Sequence, residues 1–153
     1  MEDLVKAAQE AVSKSNDLKN KFTYAIDAPV GFGCVFCQSE EEYKKFTDVI
    51  TPLGRIVEDT PSGYTYLLEK PIDTVSGPLR LLKIRKPDPN RKERGDADFN
   101  TNYEEFSSKY QNDPRFKIVE HETFKYLRLE VPGFDTMACF SNIPKSKVLG
   151  LSG

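Results

Sequence analysis

The chain has no apolar stretch approaching the roughly 20 residues that a bilayer-spanning helix needs, so a helical membrane protein is not expected. It has no basic excess either: 22 Lys and Arg stand against 24 Asp and Glu, for a net charge of −2. A surface that grips a phosphate backbone needs a positive face, and nucleic-acid binding is therefore not expected as the main role. Cysteine is scarce, at three residues in 153, too few for the disulfide framework of a small secreted scaffold. The opening stretch MEDLVKAAQEAVSK is acidic early and lacks the apolar centre of a secretory signal, so the cytoplasm is the expected compartment. Histidine occurs once, at His121, which excludes any metal site built on two imidazoles.

What is present suffices for one core. Apolar residues make up 38% and charged residues 30%, the balance of a soluble domain of ordinary size. Leu4, Val5, Ala8, Ala11 and Val12 recur at helical spacing, and Glu2 and Asp3 suit the positive end of a helix over 2–21. Cys34–Gln38 has the composition of a strand. Ser39 is a good N-cap for a helix that runs to about Ile50, with Glu40–Glu42 in its first turn. Strands are expected over Arg55–Asp59, Tyr64–Glu69 and Leu79–Lys86, with a turn at Thr60–Gly63 and a loop containing Pro71 and Gly77.

The same order then returns. A charged, proline-bearing connector ends at Gly95, and Asp96–Asn100 has strand character. Tyr103–Tyr110 is expected to be a helix capped by Asn102. Lys117–Glu120, Thr123–Glu130 and Thr136–Ser141 follow as strands. Residues match between the halves: Tyr43 and Phe46 answer to Tyr103 and Phe106, Ile56-Val57-Glu58 to Ile118-Val119-Glu120, and Tyr66-Leu67-Leu68-Glu69 to Tyr126-Leu127-Arg128-Leu129. Three matched blocks in one order, on the same elements, indicate an internal repeat. The organisation expected is an N-terminal helix and linker (1–30), a first βαβββ unit (31–86), a connector (87–95), a second βαβββ unit (96–143) and a C-terminal tail (144–153), all in one α+β domain.

One such unit buries a single sheet face. Pairing two units into a curved, mixed eight-stranded sheet covers more surface and creates a central cleft. That architecture resembles the vicinal-oxygen-chelate superfamily, the glyoxalase and extradiol-dioxygenase fold, over roughly residues 31–143. The resemblance implies a divalent metal in the cleft, held by His, Gln or Asp opening the first strand of each unit and by Glu on the last. Here Gly31-Phe32-Gly33-Cys34 opens the first strand, Lys83 or Arg85 stands near the expected Glu, Asp96 or Asp98 opens the second unit, and Cys139 or Ser141 lies near its end. A cation at Lys83 repels a metal at short range. The expectation is thus a glyoxalase-like protein without the family metal and with no cofactor.

Strand alternation directs the remaining candidates. Leu82 and Ile84 share one face, and Lys83 and Arg85 the other; Leu127 and Leu129 share a face, leaving Tyr126 and Arg128 opposite. If the apolar faces meet the helices, Lys83, Arg85, Arg128, Tyr66 and Tyr126 point into the cleft, with Asp96 and Asp98 at its rim. Such a cleft suits a small anionic or carbonyl-containing molecule; alternatively the charges are solvated or pair with one another. No catalytic set is legible. His121, between two glutamates in a hairpin, is either an exposed turn residue or a general base. Cys34 and Cys37 lie three apart on a strand, which sends them to opposite faces and favours buried thiols over a redox pair, with zinc on Cys34, Cys37, Cys139 and His121 the other reading. Two further functional classes remain open: a non-enzymatic module that forms a homodimer or holds a partner protein, and a metal-dependent lyase, isomerase or dioxygenase.

Overall fold

Leu4, Ala8, Ala11, Val12, Ser15 and Leu18 lie along one side of helix α1 (Glu2–Phe22), and all are buried. In the computed structural model, which describes residues 1–151, this helix lies over the middle of a sheet. Its surface is too narrowly apolar for a free helix to persist in water, and docking supplies the missing contact. At Gly95 the absence of a side chain lets Ala11 come close: a Cβ there would stand 2.8 Å from the Ala11 Cβ. The far end of α1 is fastened by Lys19, whose buried ammonium donates to the Asn20 Oδ1 (2.7 Å), the Ala25 carbonyl (2.6 Å) and the Ile26 carbonyl (2.8 Å).

The first unit runs β1 (Val30–Phe36), α2 (Glu40–Ile50), β2 (Gly54–Thr60), β3 (Gly63–Thr74) and β4 (Gly77–Arg85). The second runs β5 (Gly95–Phe99), α3 (Tyr103–Tyr110), β6 (Phe116–Glu120), β7 (Lys125–Leu129) and β8 (Thr136–Ser141). A short helix, α4 (Lys145–Val148), follows. The eight strands form one open, curved sheet in the order β2-β3-β4-β1-β5-β8-β7-β6. Each half repeats one plan: the first strand lies parallel to the last, and the other pairs are antiparallel. The halves join through the antiparallel pair β1–β5. This is the mixed eight-stranded sheet of two βαβββ units plus an N-terminal helix that the repeat implies.

Both unit helices begin as the sequence indicates. The Ser39 hydroxyl accepts from the Glu42 amide and the Asn102 side chain from the Glu105 amide. The core fills the helix side of the sheet. Phe46 and Ile50 from α2 meet Tyr66, Leu82 and Ile84, while Phe106 from α3 stacks on Phe140 (ring centroids 4.2 Å apart) and on Tyr110 (4.7 Å).

Three local expectations change. Strand β1 starts at Val30, before Cys34: Gly31 and Gly33 are part of it, because the Asn100 and Leu79 side chains occupy the space their own would need. Strand β3 continues through Pro71 to Thr74 where a loop is expected. A register shift between Leu67 and Ile72 accommodates the proline, and the turn follows at Gly77. The tail contributes helix α4, which the sequence pattern does not signal.

Candidate functional site

The sheet face away from α1, α2 and α3 holds a cavity of about 420 Å³. Period-two alternation decides which residues line it. Strand β1 contributes Phe32, Cys34 and Phe36; β4 contributes Lys83 and Arg85; β5 contributes Asp96 and Asp98. Tyr126 enters from β7, Cys139 and Ser141 from β8, and Glu58 and Thr60 from β2. Register ties these residues into rows: Lys83, Cys34 and Asp96 stand side by side across three neighbouring strands, and Asp98 stands between Phe32 and Cys139.

The cations on β4 are held by weak partners. Lys83 donates to the Thr60 hydroxyl (3.0 Å) and the Ser62 hydroxyl (2.7 Å), and among the described residues no carboxylate lies within 4.0 Å of it. Burial lowers its pKa. The Arg85 guanidinium lies 4.9 Å from the Phe36 ring centroid and reaches Asp88 only at 3.4 Å, and its buried Nε has no acceptor.

The acids on β5 are equally exceptional. Burial, and then the neighbouring charge of Asp98, pushes the Asp96 carboxyl up to about 7. Burial lifts Asp98 to about 6, against the hydrogen bond that Ser141 Oγ donates to its Oδ2. The other oxygen, Asp98 Oδ1, is buried without a partner. Burial likewise raises the Tyr126 hydroxyl to about 12 and the Cys34 and Cys139 thiols well above their ordinary range.

Five of the seven expected site residues thus meet in the cavity: Lys83, Arg85, Tyr126, Asp96 and Asp98. Arg128 stands on the same face, beside Cys139, but ion-pairs with Glu130 at 2.5 Å and does not line the cavity. Tyr66 is a correction. It is 3% exposed in the helix-side core. Ile56 pairs with Tyr66, whereas Ile118 pairs with Leu127. The structural counterpart of Tyr66 is therefore Leu127, and aligning Tyr66 with Tyr126 is one residue out, which in a strand reverses the face.

Other lining residues carry weak sequence signals or none. Ser62 and Thr60 belong to a turn motif, yet their hydroxyls hold Lys83. Lys145 comes from the tail: its Nζ lies 3.1 Å from Glu58 Oε1 and 5.0 Å from the Phe32 ring centroid, so α4 lies against the cavity. His121 is exposed in its hairpin, as a turn residue, but its ring stacks on Phe124 (4.6 Å) and lines the cavity mouth. Cys34 and Cys37 are both buried on opposite sheet faces, and all three cysteines are free thiols.

The metal that the superfamily resemblance implies does not fit these residues. The places for its ligands hold Phe32 or Cys34, Lys83, Asp96 or Asp98, and Cys139 or Ser141, and the Lys83 ammonium stands in the same row as Asp96. Among the described residues no group of three or more His, Cys, Asp or Glu side chains is arranged to hold an ion. No helix among them is long and apolar enough to cross a membrane.

No protein-family model matches the chain, and no curated protein matches it in sequence. A solved structure from structural genomics, described as protein EC4020, superposes with a TM-score of 0.72 at 8% identity, over 97% of this chain and 90% of that one. At that identity the similarity concerns the fold alone.

Proposed function

We propose that this is a glyoxalase-like protein whose cleft binds a small anionic or carbonyl-containing molecule with an apolar part. One observation carries the reading: Lys83 and Arg85 present N–H donors to a cavity of about 420 Å³, and the only carboxylate that reaches either of them among the described residues is Asp88, at 3.4 Å from Arg85. Both side chains are half-buried, and cations withdrawn from water with so little counter-charge gain when an anion arrives. Phe32, Phe36, Phe124 and Tyr126 supply apolar walls, as small-molecule sites usually have. Asp96, whose carboxyl exchanges its proton at about 7, lies where it can donate to or accept from a bound carbonyl compound. This supports a catalytic role without assigning a reaction.

The test is thermal stabilisation by a panel of small carboxylates and phosphates. A ligand at about 100 times its dissociation constant stabilises the wild type by roughly 2.7 kcal/mol. Lys83→Ala and Arg85→Ala are expected to fold and to lose that stabilisation. Binding that is unchanged in both variants refutes the reading.

A second reading is favoured by the sheet ends. Edge strands β2 and β6 each have one neighbour, and Ile56 and Ile118, at matching positions of the two units, are both 50% exposed. Exposed apolar edges invite pairing, so a homodimer formed through them is the alternative role. Light scattering of Ile56→Lys and Ile118→Lys against the wild type tests it: loss of a dimer supports it, and a monomeric wild type refutes it.

A further inference from the structure

The cleft is bipolar, and that narrows what it takes. Lys83 and Arg85 sit together on β4, and Asp96 and Asp98 sit together on β5, where Asp98 Oδ1 is buried without a partner. Strand β1 lies between them and presents only Phe32, Cys34 and Phe36 to the cavity. Lys83 and Asp96 flank Cys34 in one row, so their Cα atoms are two strand spacings apart, about 10 Å. Both side chains line the cavity. Neither set neutralises the other: among the described residues no ion pair within 4.0 Å joins Lys83 or Arg85 to Asp96 or Asp98. The remaining cavity charges are spoken for, because Lys145 holds Glu58.

A simple anion satisfies half of this arrangement. It would answer Lys83 and Arg85 but leave Asp98 Oδ1 buried without a donor, and it would add negative charge near two carboxyls that already repel each other. Building on the anion-binding reading above, we infer that the ligand is a short zwitterion: its carboxylate sits between Lys83 and Arg85, its ammonium group sits on Asp96 and Asp98, and its carbon chain crosses Phe32, Cys34 and Phe36. An ammonium supplies N–H donors where the cavity lacks them and positive charge where two acids are crowded. Burial sets the ionisation of Asp96 first, followed by Asp98 on its own strand, Arg85 and Lys83 on β4 and Arg128 on β7; the titratable Cys34 on β1, Tyr126 on β7 and Cys139 on β8 face it as well. None of these donates a hydrogen bond to its carboxyl. Burial raises the Asp96 carboxyl to about 7, and an arriving ammonium favours its ionised form, so binding releases protons to the buffer.

Calorimetric titration at pH 7 tests this with 5-aminopentanoate, pentanoate and pentylamine, each also one carbon shorter and longer. Runs in two buffers of different ionisation enthalpy count the protons released. The zwitterion of best length is expected to bind at least tenfold more tightly than its matched carboxylate or amine, with net proton release. Asp96→Asn is expected to fold, to abolish the proton release, and to reduce the zwitterion to the affinity of the plain carboxylate. If pentanoate binds as tightly as aminopentanoate, the zwitterion inference fails while the anion reading stands. If neither carboxylate series binds, or the amine binds best, both fail.

Discussion

Lys83 and Asp96 stand on either side of Cys34 in a single row of the sheet, one on the last strand of the first unit and one on the first strand of the second. The cation and the acid are thus neighbours in space but not partners. An extended sheet fixes their Cα atoms about 10 Å apart, and the gap between them is the floor of the cleft. A site that held these two charges in contact would neutralise itself; held apart, they leave a donor and an acceptor facing the same cavity.

The ionisation of Asp96 gives a stability prediction with a definite sign. Its carboxyl releases its proton near 7 in the folded chain and near 4 in the unfolded one. Between those values the unfolded chain binds fewer protons, so this group erodes stability as pH rises from about 4 to about 7. Asp96→Asn removes the erosion. Urea unfolding is expected to show the variant more stable than wild type by on the order of 1–3 kcal/mol at pH 8, with the advantage shrinking toward zero by pH 4. An advantage that is the same at both pH values would show that Asp96 ionises as a solvated acid does.

Lys19 is expected to be structural. Its ammonium ties the Ala25 and Ile26 carbonyls to the end of α1. Lys19→Met keeps the buried length but leaves those oxygens without donors, at a cost of about 1–3 kcal/mol. The check is denaturant unfolding, with a lower midpoint and an unchanged slope. A variant as stable as the wild type would mean that water replaces the ammonium.

The Glu58–Lys145 pair should govern the tail. Helix α4 has four residues, too few to persist without tertiary support. Lys145→Ala is expected to speed amide exchange at Leu149, Gly150 and Leu151 by about tenfold or more, with little change in global unfolding. Equal exchange in both proteins would assign the anchoring to Ile143 and Val148 instead.

The thiols should be inert although Cys34 and Cys139 line the cleft. Burial, and after it the charge of Asp96, holds Cys34 and Cys139 in the protonated form, and burial pushes Cys37 up to about 12. Reaction with a thiol-specific disulfide reagent at pH 8 is expected to be at least about a hundredfold slower in the native protein than in the unfolded chain. Rapid labelling of Cys34 or Cys139 would identify an activated nucleophile.

The sequence by itself determined the repeat, the eight strands and the capped helices, because these follow from local periodicity and from single residues such as Ser39 and Asn102 whose capping needs no distant partner. It also determined that Lys83 and Arg85 share a face, since strand alternation is local. Tertiary structure decided the rest. The misplacement of Tyr66 shows why: an alignment one residue out leaves the repeat recognisable but reverses the face, and only pairing with β2 and β4 settles the register. Lys145 reaches Glu58, 87 residues away in the chain, and Ser62 reaches Lys83 across a hairpin. Nothing in local spacing encodes either contact. The protonation of Asp96 and Asp98 is likewise a tertiary property, because desolvation depends on what the folded sheet encloses and not on the neighbours of an aspartate in the chain.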